Sequence, residues 1–110
     1  MLYKFKSKIA SDVIMLEPQG RQILTLWGYT TEESLRKGIL LAAEMPAAIQ
    51  ALEEAIAHEE ARRVQAALEA QEQGREATYP EGVSLRQRAM PLLDMARRSQ
   101  AAGKDIVWGV

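Results

Sequence analysis

The stretch LYKFKSKI, at positions 2–9, decides the fold because apolar and polar side chains alternate along it. A period of two is typical of a strand with one buried face. The side predicted to be buried carries Tyr3, Phe5 and Ile9. We place a polar turn at residues 10–12 and a second, more fully buried strand at residues 13–16. Residues 2–16 are therefore predicted to form a β-hairpin.

Helical spacing of apolar residues follows the hairpin. It predicts a short helix from Pro18 to Gly28. The stretch TTEE at residues 30–33 offers a capping box for one further turn of helix, which Gly38 would end. A long helix is predicted from about Ala42 toward Gln73, supported by alanine propensity and by charged pairs at three- and four-residue spacing.

The C-terminal part carries the clearest helix boundaries. Ser84 and Gln87 form a capping box that predicts the start of the last helix, and Gly103 predicts its end. Residues 106–110 are predicted to close the chain as a short strand.

These elements predict an α+β fold. We expect a small antiparallel sheet, made of the N-terminal hairpin and the C-terminal strand, packed against two main helices and one short helix. A chain of 110 residues can form one modest core, so we treat residues 1–110 as a single domain. Residues 58–82 are expected to be a protruding helix half followed by a mobile loop, because few large apolar residues follow His58.

Composition excludes several classes of protein. The chain has no cysteine, so disulfide scaffolds and cysteine-based metal sites are excluded. No apolar run approaches the length of about 20 residues that a membrane span requires. We therefore expect a soluble, cytoplasmic protein with no membrane partner.

Catalytic patterns are sparse. The single histidine, His58, follows Glu54 by one helical turn and could share a face with it, but the second histidine of a zincin arrangement is missing. The glycines are scattered singly and do not form a phosphate-binding loop. We predict no metal site and no cofactor, and favour a protein that is not an enzyme.

Charge is unevenly distributed along the chain. Residues 1–30 carry a net charge of +2, residues 31–82 carry −6 and residues 83–110 carry +3. A basic surface is therefore predicted on the hairpin, the last helix and the final strand, with Asp12 facing a possible cleft beside them. The candidate binding residues are Lys4, Lys6, Lys8, Asp12, Arg86, Arg88 and Trp108.

Three stretches together resemble one protein family. They are MLYKFKSK with DVIML (residues 1–8 and 12–16), MPAAIQAL (residues 45–52), and SLRQRAMPLL with AAG and VWGV (residues 84–93, 101–103 and 107–110). The chain resembles the short proteobacterial proteins of the domain of unknown function 1840. The resemblance implies a small cytoplasmic bacterial protein and brings no established activity or catalytic residue.

Three hypotheses for function stay open at this point. The first is a non-enzymatic interaction or regulatory domain that self-associates as a dimer, with a further protein partner possible. The second is a nucleic-acid-associated protein that uses the basic hairpin and last helix, although a pI near 5.9 argues against a dedicated binder. The third is an enzyme or small-anion binder around Asp12, Arg86 and Arg88.

Overall fold

A four-stranded antiparallel sheet forms one layer of the protein. The computed structural model describes residues 2–74 and 84–110. Along the sheet the strands lie in the order β2-β1-β4-β3, so the C-terminal strand pairs with both the hairpin and a strand from the middle of the chain. The strands are β1 (Leu2–Ser7), β2 (Ala10–Leu16), β3 (Gly38–Leu40) and β4 (Ile106–Trp108).

Helices cover one face of this sheet. The 28-residue helix α3 packs against α4, and a 3₁₀ turn at Ala42–Glu44 leads into α3. Asp105 holds that turn in place, because its carboxylate accepts a hydrogen bond of 2.7 Å from the amide N–H of Ala42. The helices are α1 (Glu17–Leu26), α2 (Glu32–Arg36), α3 (Met45–Glu72) and α4 (Leu85–Ala102).

The core lies between the helices and the inner face of the sheet. Phe5 and Trp108 are fully buried at its centre, with ring centroids 6.2 Å apart. The indole N–H of Trp108 donates a 2.8 Å hydrogen bond to the carbonyl of Ser34, which connects β4 to α2. Other fully buried side chains in this layer are Ile23, Leu24, Met45, Leu52, Leu92, Met95 and Ile106.

The predicted α+β fold is confirmed, and so are the signals that bound its last helix, whereas the cap of α2 lies one residue later than predicted. Ser84 and Gln87 form the expected capping box, and Gly103 ends α4 in the left-handed conformation at φ +67°. The Thr31 hydroxyl accepts a hydrogen bond from the amide N–H of Ser34 and starts α2. Residues 58–72 continue α3 to its end and residues 73–74 form a turn, whereas residues 75–82 of the predicted loop lie outside the described residues.

The hairpin differs from the prediction in its turn and in the burial of its second strand. Lys8 and Ile9 form a two-residue turn, and β2 already begins at Ala10. Ile9 is therefore 44% exposed instead of buried. The predicted burial of residues 13–16 holds only in part: Val13 and Met15 pack against the core, whereas Ile14 and Leu16 lie on the face of the sheet that the helices leave uncovered.

Strand β3 was not predicted. Gly38 looked like a stop signal in the sequence, whereas in the structure it pairs with Trp108 across the sheet. A Cβ atom at Gly38 would lie 2.5 Å from Cζ2 of the Trp108 ring. The glycine is therefore required by the close approach of β3 to the indole, which the local sequence does not indicate.

Candidate functional site

The acidic and basic parts of the chain face each other across the contact between α3 and α4. Arg97 of α4 lies 2.8 Å from the carboxylate of Glu53, and Arg86 forms a two-point hydrogen bond with Glu60. The first amide N–H of α4, from Leu85, is satisfied by a carboxylate of α3 at 2.9 Å. Much of the charge separation seen in the sequence is thus neutralised within the fold.

The other two arginines of α4 are engaged too. Arg98 pairs with Asp94 one turn earlier at 3.1 Å, and Arg88 donates from Nη2 to Gln22 Oε1 at 3.0 Å. All four guanidinium groups of this helix therefore have partners in the protein. These pairs lower the net positive charge that the last helix presents to solvent.

The Arg86 hydrogen bond lowers the pKa of the Glu60 carboxyl below its usual range. Such a carboxyl contributes stability above its unfolded-state pKa of about 4.3, and this contribution is lost as the pH falls through the folded-state pKa. The pKa of the Glu32 carboxyl is also lowered, because Arg21 of the neighbouring helix α1 donates hydrogen bonds to this carboxylate.

We expect the Glu60→Gln variant to lose less stability on acidification than the natural protein between about pH 5 and pH 3. The reason is that glutamine keeps the shape of the side chain and removes the titration. Chemical denaturation over this pH range measures how steeply the free energy of unfolding depends on pH. Arg86→Gln should flatten the slope in the same way, and a flattening confined to Glu60→Gln would contradict the assignment to this pair.

Two residues singled out in the sequence do not share a site with the other candidate residues. Trp108 is fully buried, so its side chain belongs to the core and not to a binding surface. His58 is exposed on α3. Within residues 2–74 and 84–110, no three histidine, cysteine or acidic side chains are grouped so that they could hold a metal ion.

The face of the sheet opposite the helices is open to solvent. We call it the outer face, and the register of the strands defines it: Leu2 pairs with Leu16, and Lys4 with Ile14. Leu2, Ile14 and Leu16 are 60%, 54% and 58% exposed. Exposed aliphatic groups that adjoin one another are unusual outside interaction surfaces. The residues of the outer face are Leu2, Lys4, Lys6, Ile14, Leu16, Ile39 and Val107.

Lysines surround this face. Lys4 and Lys6 lie on it, and a shallow depression of about 550 Å³ at one end is lined by Lys6, Lys8 and Lys104. Asp12 and Asp105 line the same depression. None of the lysines forms an ion pair with another described residue, in contrast to the arginines of α4.

A groove of about 400 Å³ follows the edge of β2 that pairs with no other strand within residues 2–74 and 84–110. Five consecutive strand residues, 12–16, line it, so the groove runs along the edge of the strand and not across one face. Its other wall is formed by α1 and α4. We call it the edge groove, and the helical residues that line it are Gln19, Gln87, Arg88 and Pro91.

Two buried polar atoms in the edge groove have no hydrogen-bond partner within the described chain. They are the acceptor Gln19 Oε1 and the donor Arg88 Nε. A buried polar group without a partner costs about 1–3 kcal/mol, so each orphaned atom favours a ligand that satisfies it. A peptide group is such a ligand, because it offers both an N–H donor and a carbonyl acceptor.

The structure brings together only part of the predicted site. Asp12 and Arg88 line the same groove, whereas Arg86 points to α3 and pairs with Glu60. Sequence reasoning missed Gln19, and it missed the exposure of Ile14 and its neighbours in β2. The alternation along β2 was a usable signal, but the apolar run VIML at positions 13–16 masked it.

No helix in the described ranges is long and apolar enough to cross a bilayer. Comparison with curated proteins and with solved structures finds no match. The family model of the domain of unknown function 1840 (DUF1840), in contrast, matches residues 1–108. The resemblance seen in the strand, helix and terminal motifs thus extends over the whole chain, which belongs to the DUF1840 family.

Proposed function

We propose that the protein is a non-enzymatic interaction module that self-associates, with β2 of one copy pairing with β2 of a second copy. The observation that carries the proposal is the free edge of β2, seven residues long and flanked by the edge groove with its two orphaned polar atoms. An exposed strand edge presents unpaired amide and carbonyl groups to any incoming strand.

The sequence of β2 supports pairing. Natural edge strands are often protected by lysine, by proline or by short length. β2 reads ASDVIML and contains neither lysine nor proline, and its only charged residue is Asp12. The opposite edge is protected, because β3 has three residues and directly follows Lys37. The association surface is therefore assigned to β2.

Symmetry favours a second copy of the protein as the partner of the β2 edge. Two identical strands related by a two-fold axis pair in antiparallel orientation, and every contact then occurs twice. Such pairing would place the exposed Ile14 and Leu16 of both copies side by side on one continuous outer face. It would also bring backbone N–H groups towards the acceptor Gln19 Oε1 and backbone carbonyls towards the donor Arg88 Nε.

The mass of the protein in solution tests the proposal. We expect sedimentation velocity to show a dimer whose population grows with concentration. Ile14→Lys should weaken the dimer at least tenfold, or about 1.4 kcal/mol, because it places like charges near the two-fold axis. Val64→Lys is the matched control, since Val64 is equally exposed but lies on α3. A monomer at all concentrations, or disruption by Val64→Lys alone, would refute pairing through β2.

Single cysteines give the register of the pairing. The natural chain has no cysteine, so an introduced thiol can only cross-link to its counterpart in a second copy. Residues opposite each other in antiparallel strands have Cα atoms about 4.5–5.5 Å apart, which suits a disulfide. Oxidation of variants with one cysteine at positions 13, 14 or 15 should give a covalent dimer for at least one of them. Equal cross-linking of Val64→Cys would indicate association through α3 instead.

A further inference from the structure

We propose that the outer face binds the surface of anionic bilayers, with its lysines contacting lipid phosphate groups and its aliphatic side chains entering the headgroup region. The proposal does not depend on self-association. It departs from the expectation drawn from the sequence, which was that the protein has no membrane partner.

The placement of the lysines is the first observation. All five lysines of the chain lie on the outer face or at its margin: Lys4, Lys6, Lys8, Lys37 and Lys104. The extended residue Lys37 precedes the inward-facing Gly38, so it alternates to the outer side. Asp12 and Asp105 line the depression beside three of the lysines. No ion pair with a described residue neutralises the lysines, so their charges remain available to an anionic surface.

The aliphatic side chains between the lysines are the second observation. Leu2, Ile14 and Leu16 are more than half exposed at the β2 side of the face, and Ile39 is 45% exposed at the other side. Lysine stems can lie along apolar groups while the ammonium group reaches outward. A flat surface that mixes aliphatic groups with long cationic side chains matches the boundary between acyl chains and phosphate groups.

A nucleic acid fits this face less well. Single strands are held by aromatic side chains on which bases stack, and Tyr3, Phe5 and Trp108 all point to the inner side. The arginines of α4 lie in the helical layer and are engaged in hydrogen bonds there. The exposed leucine and isoleucine side chains would face phosphate and sugar groups, which offer them no apolar contact.

The charge of helix α3 favours one orientation of the protein on an anionic bilayer. Helix α3 carries six glutamates and two arginines and lies in the layer that covers the inner face. The acidic helix α3 is thus directed away from a bilayer on which the outer face lies. The field of an anionic membrane attracts one side of the molecule and repels the other.

Co-sedimentation with vesicles tests the proposal. The probes are vesicles of phosphatidylcholine and phosphatidylserine in a seven-to-three molar ratio, with pure phosphatidylcholine for comparison. We expect binding only to the anionic vesicles. Lys4→Ala with Lys6→Ala should weaken it about 30-fold, the equivalent of about 1 kcal/mol per lysine. The control double variant, Arg62→Ala with Arg98→Ala, has the same net charge and should bind as the natural protein does.

Two further measurements separate the explanations. Ile39→Ser removes an aliphatic group far from β2, so it should weaken vesicle binding and leave the dimer intact. Failure to bind anionic vesicles, or unchanged binding by the lysine double variant, would overturn the proposal without affecting self-association. Binding of a single-stranded thymidine oligonucleotide in place of vesicles, with the same lysine dependence, would assign the face to nucleic acid and overturn it too.

Discussion

Replacement of Trp108 by alanine is expected to lower the free energy of unfolding by about 3–5 kcal/mol. The indole is fully buried, and its N–H is satisfied by the carbonyl of Ser34 at 2.8 Å. Its ring also contacts Tyr29 edge-on, with centroids 4.8 Å apart, and lies over Gly38. Truncation would therefore leave a cavity where β3, β4 and α2 meet, together with an unpaired carbonyl.

Urea denaturation followed by far-ultraviolet circular dichroism measures this loss. Trp108→Phe is the control, because it keeps an aromatic ring but loses the hydrogen bond to Ser34. Trp108→Phe should lower the free energy of unfolding less than Trp108→Ala does and more than a surface substitution does. A change below about 1 kcal/mol for Trp108→Ala would show that the indole does not hold these elements together.

Gly38→Ala is expected to lower the free energy of unfolding by about 1–3 kcal/mol through overpacking. The added methyl group would lie 2.5 Å from Cζ2 and 2.8 Å from Cε2 of Trp108, well inside the contact distance of two carbon atoms. The indole is fully buried and held by its hydrogen bond, so it has little room to move.

The neighbouring Ile39→Ala substitution is the matched control. Ile39 lies on the same short strand but is 45% exposed, so its truncation should cost much less. Combining Gly38→Ala with Trp108→Phe should recover part of the loss, because the smaller ring relieves the contact. If the losses in free energy of unfolding of the two single variants simply add in the double variant, the methyl group and the indole do not clash directly.

Much of the fold could be predicted because its signals are local. The alternation in residues 2–7, the capping box at Ser84 and the glycine at 103 each act within a few residues, and the structure contains β1 and both ends of α4 where these signals place them. The basic hairpin was also visible, because three of its lysines lie within five residues.

The candidate site could be predicted only in part. Asp12 and Arg88 were both singled out, and both line the edge groove. Arg86, two residues before Arg88, looked equivalent in the sequence but lies on a different side of α4 and pairs with Glu60. Gln19 carried no signal at all, because its role depends on a groove formed by β2, α1 and α4 together.

The sequence by itself determined the secondary structure of most of the chain, the caps of its helices and the sign of charge on each segment. Only the tertiary structure decided that β4 lies between β1 and β3, and that β2 therefore stays at an edge. The physical reason is that strand order depends on hydrogen bonds between residues far apart in the chain, as between Phe5 and Trp108. Those same pairings left the lysines on an open face, whereas the packing of α3 against α4 paired Arg86 and Arg97 with glutamates.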